Sequence, residues 1–151
     1  MSTRTRQTSM ALVMAACILL VSSYATDAGD KEKKLSPAVG KIALKDGTGE
    51  VKGKLDANDP KDASRVECYC KIYTIKLEAG KTYQFDCKSD WDNWLRIEDA
   101  KGKQLAEDDD GGGGTDAQIV FECKTAGEYR VIVTSFDAAA TGDFVVTVAK
   151  K

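Results

Sequence analysis

From Gly49 onward the chain alternates apolar and polar residues in short runs broken by turns, and no stretch sustains the period of an amphipathic helix. Residues 50–55 form the first predicted strand. In residues 69–77, Tyr73, Ile75 and Leu77 share one face while Thr74 and Lys76 share the other. Ala79-Gly80 then turns the chain into residues 82–87, where Tyr83, Phe85 and Cys87 face inward, and the two runs read as a hairpin. Leu95 and Ile97 make the inward row of the next strand, and Lys101-Gly102 leads to a short strand at 104–106. Ile119, Phe121 and Cys123 make another row; Tyr129, Val131 and Val133 follow after Ala126-Gly127, and Phe144, Val146 and Val148 end the series. About eight short strands with regular turn signals and no helices for parallel crossovers predict an all-β fold, an antiparallel jelly-roll-like β-sandwich.

The first residues have a different texture. Arg4 and Arg6 precede the apolar run from Met10 to Val21, and Ser22-Ser23-Tyr24-Ala25 follows. A charged start, an apolar stretch of about a dozen residues and a small-residue exit define a secretory signal peptide over residues 1–25, with cleavage after Ala25. The run is shorter than the ~18 to 20 residues that span a bilayer, so the mature chain is read as having no membrane span. Ala15-Ala16-Cys17 is similar to a lipoprotein cleavage box, but the apolar run continues past Cys17, which a lipidated cysteine should end. Residues 26–48, with the mixed-charge run from Asp30 to Lys34 and Pro37, read as a flexible charged leader. The sandwich is assigned to residues 49–151. The expected location is periplasmic or secreted.

Composition narrows the chemistry. The chain contains no His, which excludes Ser-His-Asp and Cys-His nucleophile systems and His-ligated zinc. Its 22 Lys and Arg against 24 Asp and Glu become a slightly larger acidic excess once Arg4 and Arg6 are removed. A nucleic-acid binder normally carries a basic excess, so nucleic acid is not an expected partner. No sequence feature gives a carboxylate the apolar pocket that acid catalysis needs. The chain is therefore expected not to be an enzyme.

Four cysteines remain after export: Cys68, Cys70, Cys87 and Cys123. An even count in an exported chain suggests disulfides. Cys87 and Cys123 each end an apolar alternation of the same type, and the simplest pairing joins them. Their loop of about 35 residues would then contribute a few kcal/mol of stability. Cys68 and Cys70 point to the same face of an extended strand and so seldom bond to each other. Either of them can compete for Cys87.

The run Tyr73-Thr-Ile-Lys-Leu-Glu-Ala-Gly-Lys-Thr-Tyr83, then Trp91-Asp92 before Leu95-Arg-Ile97, then Gly102 before Leu105-Ala-Glu-Asp-Asp109 have a familiar order. With Gly127-Glu-Tyr-Arg-Val-Ile-Val-Thr-Ser135 and Gly142-Asp-Phe144, they resemble the bacterial pre-peptidase C-terminal domain. The resemblance runs from about Gly49 to Lys150. It implies a jelly-roll sandwich that serves as an auxiliary module of exported enzymes, and related collagenase domains bind collagen and calcium. No enzyme accompanies the domain here, which favours a free-standing exported binding or envelope protein.

Two places are candidates for a local function. Asp108, Asp109, Asp110 and Asp116 lie in one loop with Gly111 to Gly114, and Asp90 and Asp92 precede a strand expected nearby. Calcium takes six to eight hard oxygens, and a glycine-rich loop lets carbonyls turn toward an ion, but the spacing fits no EF-hand. Solvated turn carboxylates are the competing reading, with Asp92 as a local cap of the turn. Trp91 and Trp94, three apart in an extended segment, point to opposite faces. Trp91 is assigned to the core and Trp94 to the surface as a ligand-contacting ring. The leading expectation is a non-catalytic module that contacts an extracellular polymer, polysaccharide or protein, or an envelope partner. A calcium-stabilised structural module is the alternative. A small secreted enzyme comes third, since it would need a deep polar pocket.

Overall fold

The computed structural model describes residues 34–151; residues 1–25 with Cys17, read as a signal peptide, and the first part of the expected leader lie outside the described residues. The strands are β1 (Gly40–Ile42), β2 (Thr48–Leu55), β3 (Lys71–Leu77), β4 (Lys81–Ser89), β5 (Asn93–Asp99), β6 (Gln104–Asp108), β7 (Gln118–Cys123), β8 (Gly127–Ser135) and β9 (Gly142–Lys150). They form two sheets, β1-β3-β8-β5-β6 and β2-β9-β4-β7. Every pairing is antiparallel except β1 with β3. The described residues contain no helix, and so none long and apolar enough to cross a membrane.

The alternation dictates this packing. Each inward row becomes a strip of the core between the sheets: Tyr73, Ile75 and Leu77 from one, Tyr83, Phe85 and Cys87 from the other, closed by Leu95, Ile97, Val131, Val133, Val146 and Val148. Fully burying an aliphatic or aromatic side chain of this kind contributes about 1.5–3 kcal/mol. Tyr73 and Phe144 meet edge to face across the gap, with centroids 6.3 Å apart.

Three expectations are corrected. The sandwich starts before Gly49: Gly40, Lys41 and Ile42 pair with Tyr73, Thr74 and Ile75, and Ile42 is buried in the core. Residues 40–48, read as leader for their polarity, thus supply an edge strand and the start of β2. Second, β3 and β4 are not a hairpin. Gly80, at φ 72°, turns the chain from one sheet to the other, so β3 pairs with β8 while β4 pairs with β7 and β9. Both rows face the same core from opposite sides, which alternation alone cannot distinguish from a hairpin.

The third correction is the disulfide. All four cysteines of the described residues are buried free thiols. Cys123 lies opposite Lys81, and Cys87 lies six residues further along β4, beside Ala117. That offset is about 20 Å at strand rise, far beyond the ~7 Å between Cα atoms that a disulfide allows. The Cys123 Sγ instead donates to the Thr125 carbonyl at 3.2 Å. Cys68 lies 3.5 Å from the Asp137 carbonyl, and Cys70 packs with Ile72 and Ile132 on the outer face of the larger sheet.

Candidate functional site

Four connections meet at one end of the sandwich: the long β2–β3 loop, the β4–β5 and β6–β7 loops, and the β8–β9 loop. Backbone bonds tie them. The Phe136 N–H donates to the Asp92 carbonyl (2.9 Å), Ala139 N–H to the Glu67 carbonyl (3.1 Å), and Asn93 N–H to the Thr115 carbonyl (3.2 Å). Both candidate sites lie here.

In the acidic glycine loop most carboxylates are already used. Asp108 Oδ2 accepts from the N–H of Gly111 (2.7 Å) and of Gln118 (2.8 Å), which closes the loop at both ends. Gly112 N–H donates to the Asp116 carbonyl, and Gly113 and Gly114 sit at φ 92° and 69°, where a side chain would be strained. Asp116 Oδ1 accepts from Ser89 N–H and from the amide of buried Asn93, both at 3.3 Å, and Lys88 lies 3.5 Å from its other oxygen. Asn93 in turn accepts from Ala117 N–H at 3.0 Å. The glycines thus follow from a tight hydrogen-bonded loop. Among the described residues no three acidic or cysteine side chains converge as a metal-holding group.

Asp109 accepts from Asp110 N–H, and both carboxylates border solvent, as does exposed Asp90. Asp92 differs. Its Oδ1 is buried without a hydrogen-bond partner among the described residues, so it does not cap its turn as the sequence suggested. Desolvation, reinforced by Asp110, Asp137 and Asp109, raises its pKa above the ordinary value. These carboxylates therefore crowd one another.

The two tryptophans separate as their spacing requires. Trp91, half-buried, packs edge-on against Phe144 with centroids 6.4 Å apart, and its indole N–H donates to the Asp143 carbonyl at 3.1 Å. Trp94 points away from the core and stacks on Phe136, with centroids 6.1 Å apart and planes 21° from parallel. The Arg65 guanidinium sits 4.2 Å from the centre of the Trp94 ring. Arg65 is held there by the carbonyls of Ser135 (2.9 Å) and Phe136 (2.7 Å). Beside it Val66 is 71% exposed and Phe136 49%. An open depression of about 360 Å³ runs between them, lined by Arg65, Val66, Cys68, Phe136 and Ala138. Sequence reasoning found Trp94 but missed Arg65, Val66 and Phe136, which sit in loops without a periodic signal.

Beneath the β2–β3 loop lies a second feature absent from the sequence reading. Arg96 and Glu98, which alternate with Leu95 and Ile97 and so read as solvent-facing, are buried. Arg96 grips Asp62 with both terminal nitrogens and donates to Glu98 Oε1 at 3.1 Å, while Arg130 donates to Glu98 Oε2 at 3.2 Å and to the Ser36 carbonyl at 3.0 Å. The four charges cancel. Burial opposes ionisation of Asp62, yet the Arg96 hydrogen bond and charge outweigh it and hold the carboxyl below its ordinary pKa. Nearby Cys70 is pushed up to about 12 by burial and by Asp62.

At the opposite end the β5–β6 and β7–β8 turns border a larger open cleft of about 680 Å³, with Leu105, Phe121 and Tyr129 as apolar lining. Its rim mixes Lys101 and Lys124 with Asp99, Glu122 and Glu128. The cleft favours neither sign of charge.

No protein-family model matches the chain, and no curated protein matches it in sequence. Solved structures do match. The periplasmic inhibitor of g-type lysozyme from Aeromonas hydrophila, PliG, superposes with a TM-score of 0.54 at 14% identity, covering 74% of this chain and 94% of that one. The pre-peptidase C-terminal domain of collagenase from Bacillus anthracis does so with a TM-score of 0.56 at 17% identity, covering 76% and 98%. At such identities the likeness is one of fold, and the chain has the β-sandwich fold that these two domains also have.

Proposed function

We propose that the protein is a non-catalytic binding module, exported from the cytoplasm, that contacts a protein partner through the loop end bearing Trp94, Phe136, Arg65 and Val66. The observation that carries this reading is the Arg65–Trp94–Phe136 stack beside exposed Val66. Trp and Arg dominate the residues that anchor protein interfaces, and a preformed stack loses little entropy on binding. The stack also favours protein over polysaccharide, because Phe136 and Arg65 occupy ring surface on Trp94 that a sugar would need. The absence of catalysis is supported by the chemistry of the buried groups. Asp62 and Glu98 are neutralised by arginines, and burial pushes the Cys87 thiol up to about 12, where almost no nucleophilic thiolate exists at neutral pH. The Aeromonas sandwich inhibits a lysozyme, so the fold accommodates binding without catalysis.

The test is a photo-crosslinking residue placed at position 66 or 136 in the living cell, with position 52 on the outer face of β2 as control. A discrete protein adduct from 66 and 136, absent from 52 and lost on Trp94→Ala, is expected. Adducts to glycan alone, or equal adducts from all three positions, would overturn the proposal.

A further inference from the structure

At the loop end that carries the aromatic stack carboxylates outnumber the cations: Lys61 donates to the Glu67 carbonyl and Lys88 lies against Asp116, while Asp90, Asp92, Asp109, Asp110 and Asp137 share the same end. Asp92 bonds through its carbonyl to Phe136 N–H, and Asp137 follows Phe136 directly. The β5–β6 register sets Asp108 opposite Leu95, the neighbour of Trp94, and Asp109 and Asp110 follow it into the loop, near enough for their charges to act on Asp92. Among the described residues none of Asp92, Asp109, Asp110 and Asp137 forms an ion pair. The cation at the centre, Arg65, is spent on two backbone carbonyls and on the aromatic rings. The Asp92 pKa is raised by desolvation first and then by Asp110, Asp137 and Asp109, with Arg65 offsetting part of the rise. An apolar centre whose rim carries four carboxylates without ion pairs suits a cationic partner, which would relieve their mutual repulsion.

Resting on the proposed binding role of this end, we propose that its partner is a protein surface of basic character, which sets an apolar or aromatic side chain against exposed Phe136 and Val66, held in place by the stack on Trp94, and directs Lys or Arg toward Asp92, Asp109, Asp110 and Asp137. Rim charges of this kind raise the association rate and make affinity depend on salt, while the central stack sets the dissociation rate. The cleft at the other end sets Lys101 and Lys124 against Asp99, Glu122 and Glu128, a near balance that selects weakly by charge.

The proposal is tested by selecting displayed random dodecapeptides on the purified protein, with counter-selection on a Trp94→Ala, Phe136→Ala variant. Peptides that need the stack are expected to be rich in Lys and Arg around an aromatic or aliphatic residue. Their affinity should fall about fivefold or more between about 50 and about 300 mM salt. An Asp109→Asn, Asp110→Asn variant, altered only at the loop surface, should lose a similar factor while its melting temperature does not fall. Stack-dependent peptides without basic excess, or affinities indifferent to salt and to the Asn variant, would overturn the charge inference and leave the binding role intact. If no peptide depends on Trp94 and Phe136, the binding role fails and this inference fails with it.

Discussion

Arg96 holds Asp62 by two parallel hydrogen bonds, 2.7 Å from Nη2 to Oδ2 and 3.2 Å from Nη1 to Oδ1, with the two residues only 2% and 1% exposed. A fork of this kind joins β5 to the loop that covers its outer face, and Asp62 also fixes that loop by accepting from the N–H groups of Ser64 and Arg65. Arg65 is the residue that stacks on Trp94. The buried pair therefore anchors the arginine of the proposed interface.

Removing one partner strands a buried charge. Arg96→Met is expected to destabilise by about 3–5 kcal/mol and lower the melting temperature by more than about 10 °C. The pH dependence has a defined sign. Because the folded Asp62 pKa lies below its unfolded value, the stability it contributes is complete above about pH 4 and is lost as pH falls toward the folded value. Acid titration of the wild type against Asp62→Asn should give curves that converge below about pH 4 and separate above it. Parallel curves across the whole range would refute the ionic role.

Asp92 should behave in the opposite sense. Its pKa is raised by desolvation first and then by Asp110, Asp137 and Asp109, so the folded state binds its proton more tightly than the unfolded state does. The charged form costs stability above the folded pKa, and the cost vanishes below the unfolded one. Asp92→Asn is expected to raise stability at neutral pH by about 0.5 kcal/mol, with the gain gone by about pH 3.5. Thermal melts at the two pH values check this, and a loss of stability at neutral pH would show that the carboxylate has a favourable partner.

Faces were legible in the sequence and neighbours were not. Tyr73, Ile75 and Leu77 declare an inward row by alternation, and so do Tyr83, Phe85 and Cys87, but alternation carries no information on which strand lies alongside. A tight turn at Gly80 hence read as a hairpin when it crosses between sheets. The same limit hid the buried charges. Arg96 and Glu98 occupy outward positions of β5 as the pattern requires, and burial comes from a distant loop whose Asp62 finds them across 34 positions of sequence. The trace of this in the sequence is the pair of opposite charges at alternate positions of one strand. Trp94 could be placed on the surface because Trp91 takes the core side, whereas its stacking partners Phe136 and Arg65 depend on how two loops fold back.

The thiols give a direct chemical check. With all four cysteines of the described residues free and buried, the folded protein should react slowly with a thiol reagent, and burial raises Cys70 and Cys87 to about 12, which removes their thiolate at neutral pH. After denaturation without reductant, alkylation of the chain cleaved after Ala25 should add four groups by mass. A smaller number would mean that at least one bridge forms, and it would not be Cys87 with Cys123, which are too far apart along the β4–β7 ladder.

Calcium separates the two remaining views of the acidic loop. If an ion were held by Asp90, Asp92, Asp108, Asp109, Asp110 or Asp116, calcium at 100 times its dissociation constant would stabilise the fold by ~2.7 kcal/mol over chelator. The geometry argues for a smaller response. Asp108 already receives two backbone N–H groups and Asp116 receives Ser89 and Asn93, so an ion would have to take over oxygens that keep the loop closed. Melting curves in calcium and in chelator are therefore expected to agree within about a degree, well below the several degrees that a filled site would produce. A larger shift abolished by Asp92→Asn would place an ion against the orphaned Asp92 oxygen, and would identify the crowded carboxylates as a metal site rather than as the rim of a protein interface.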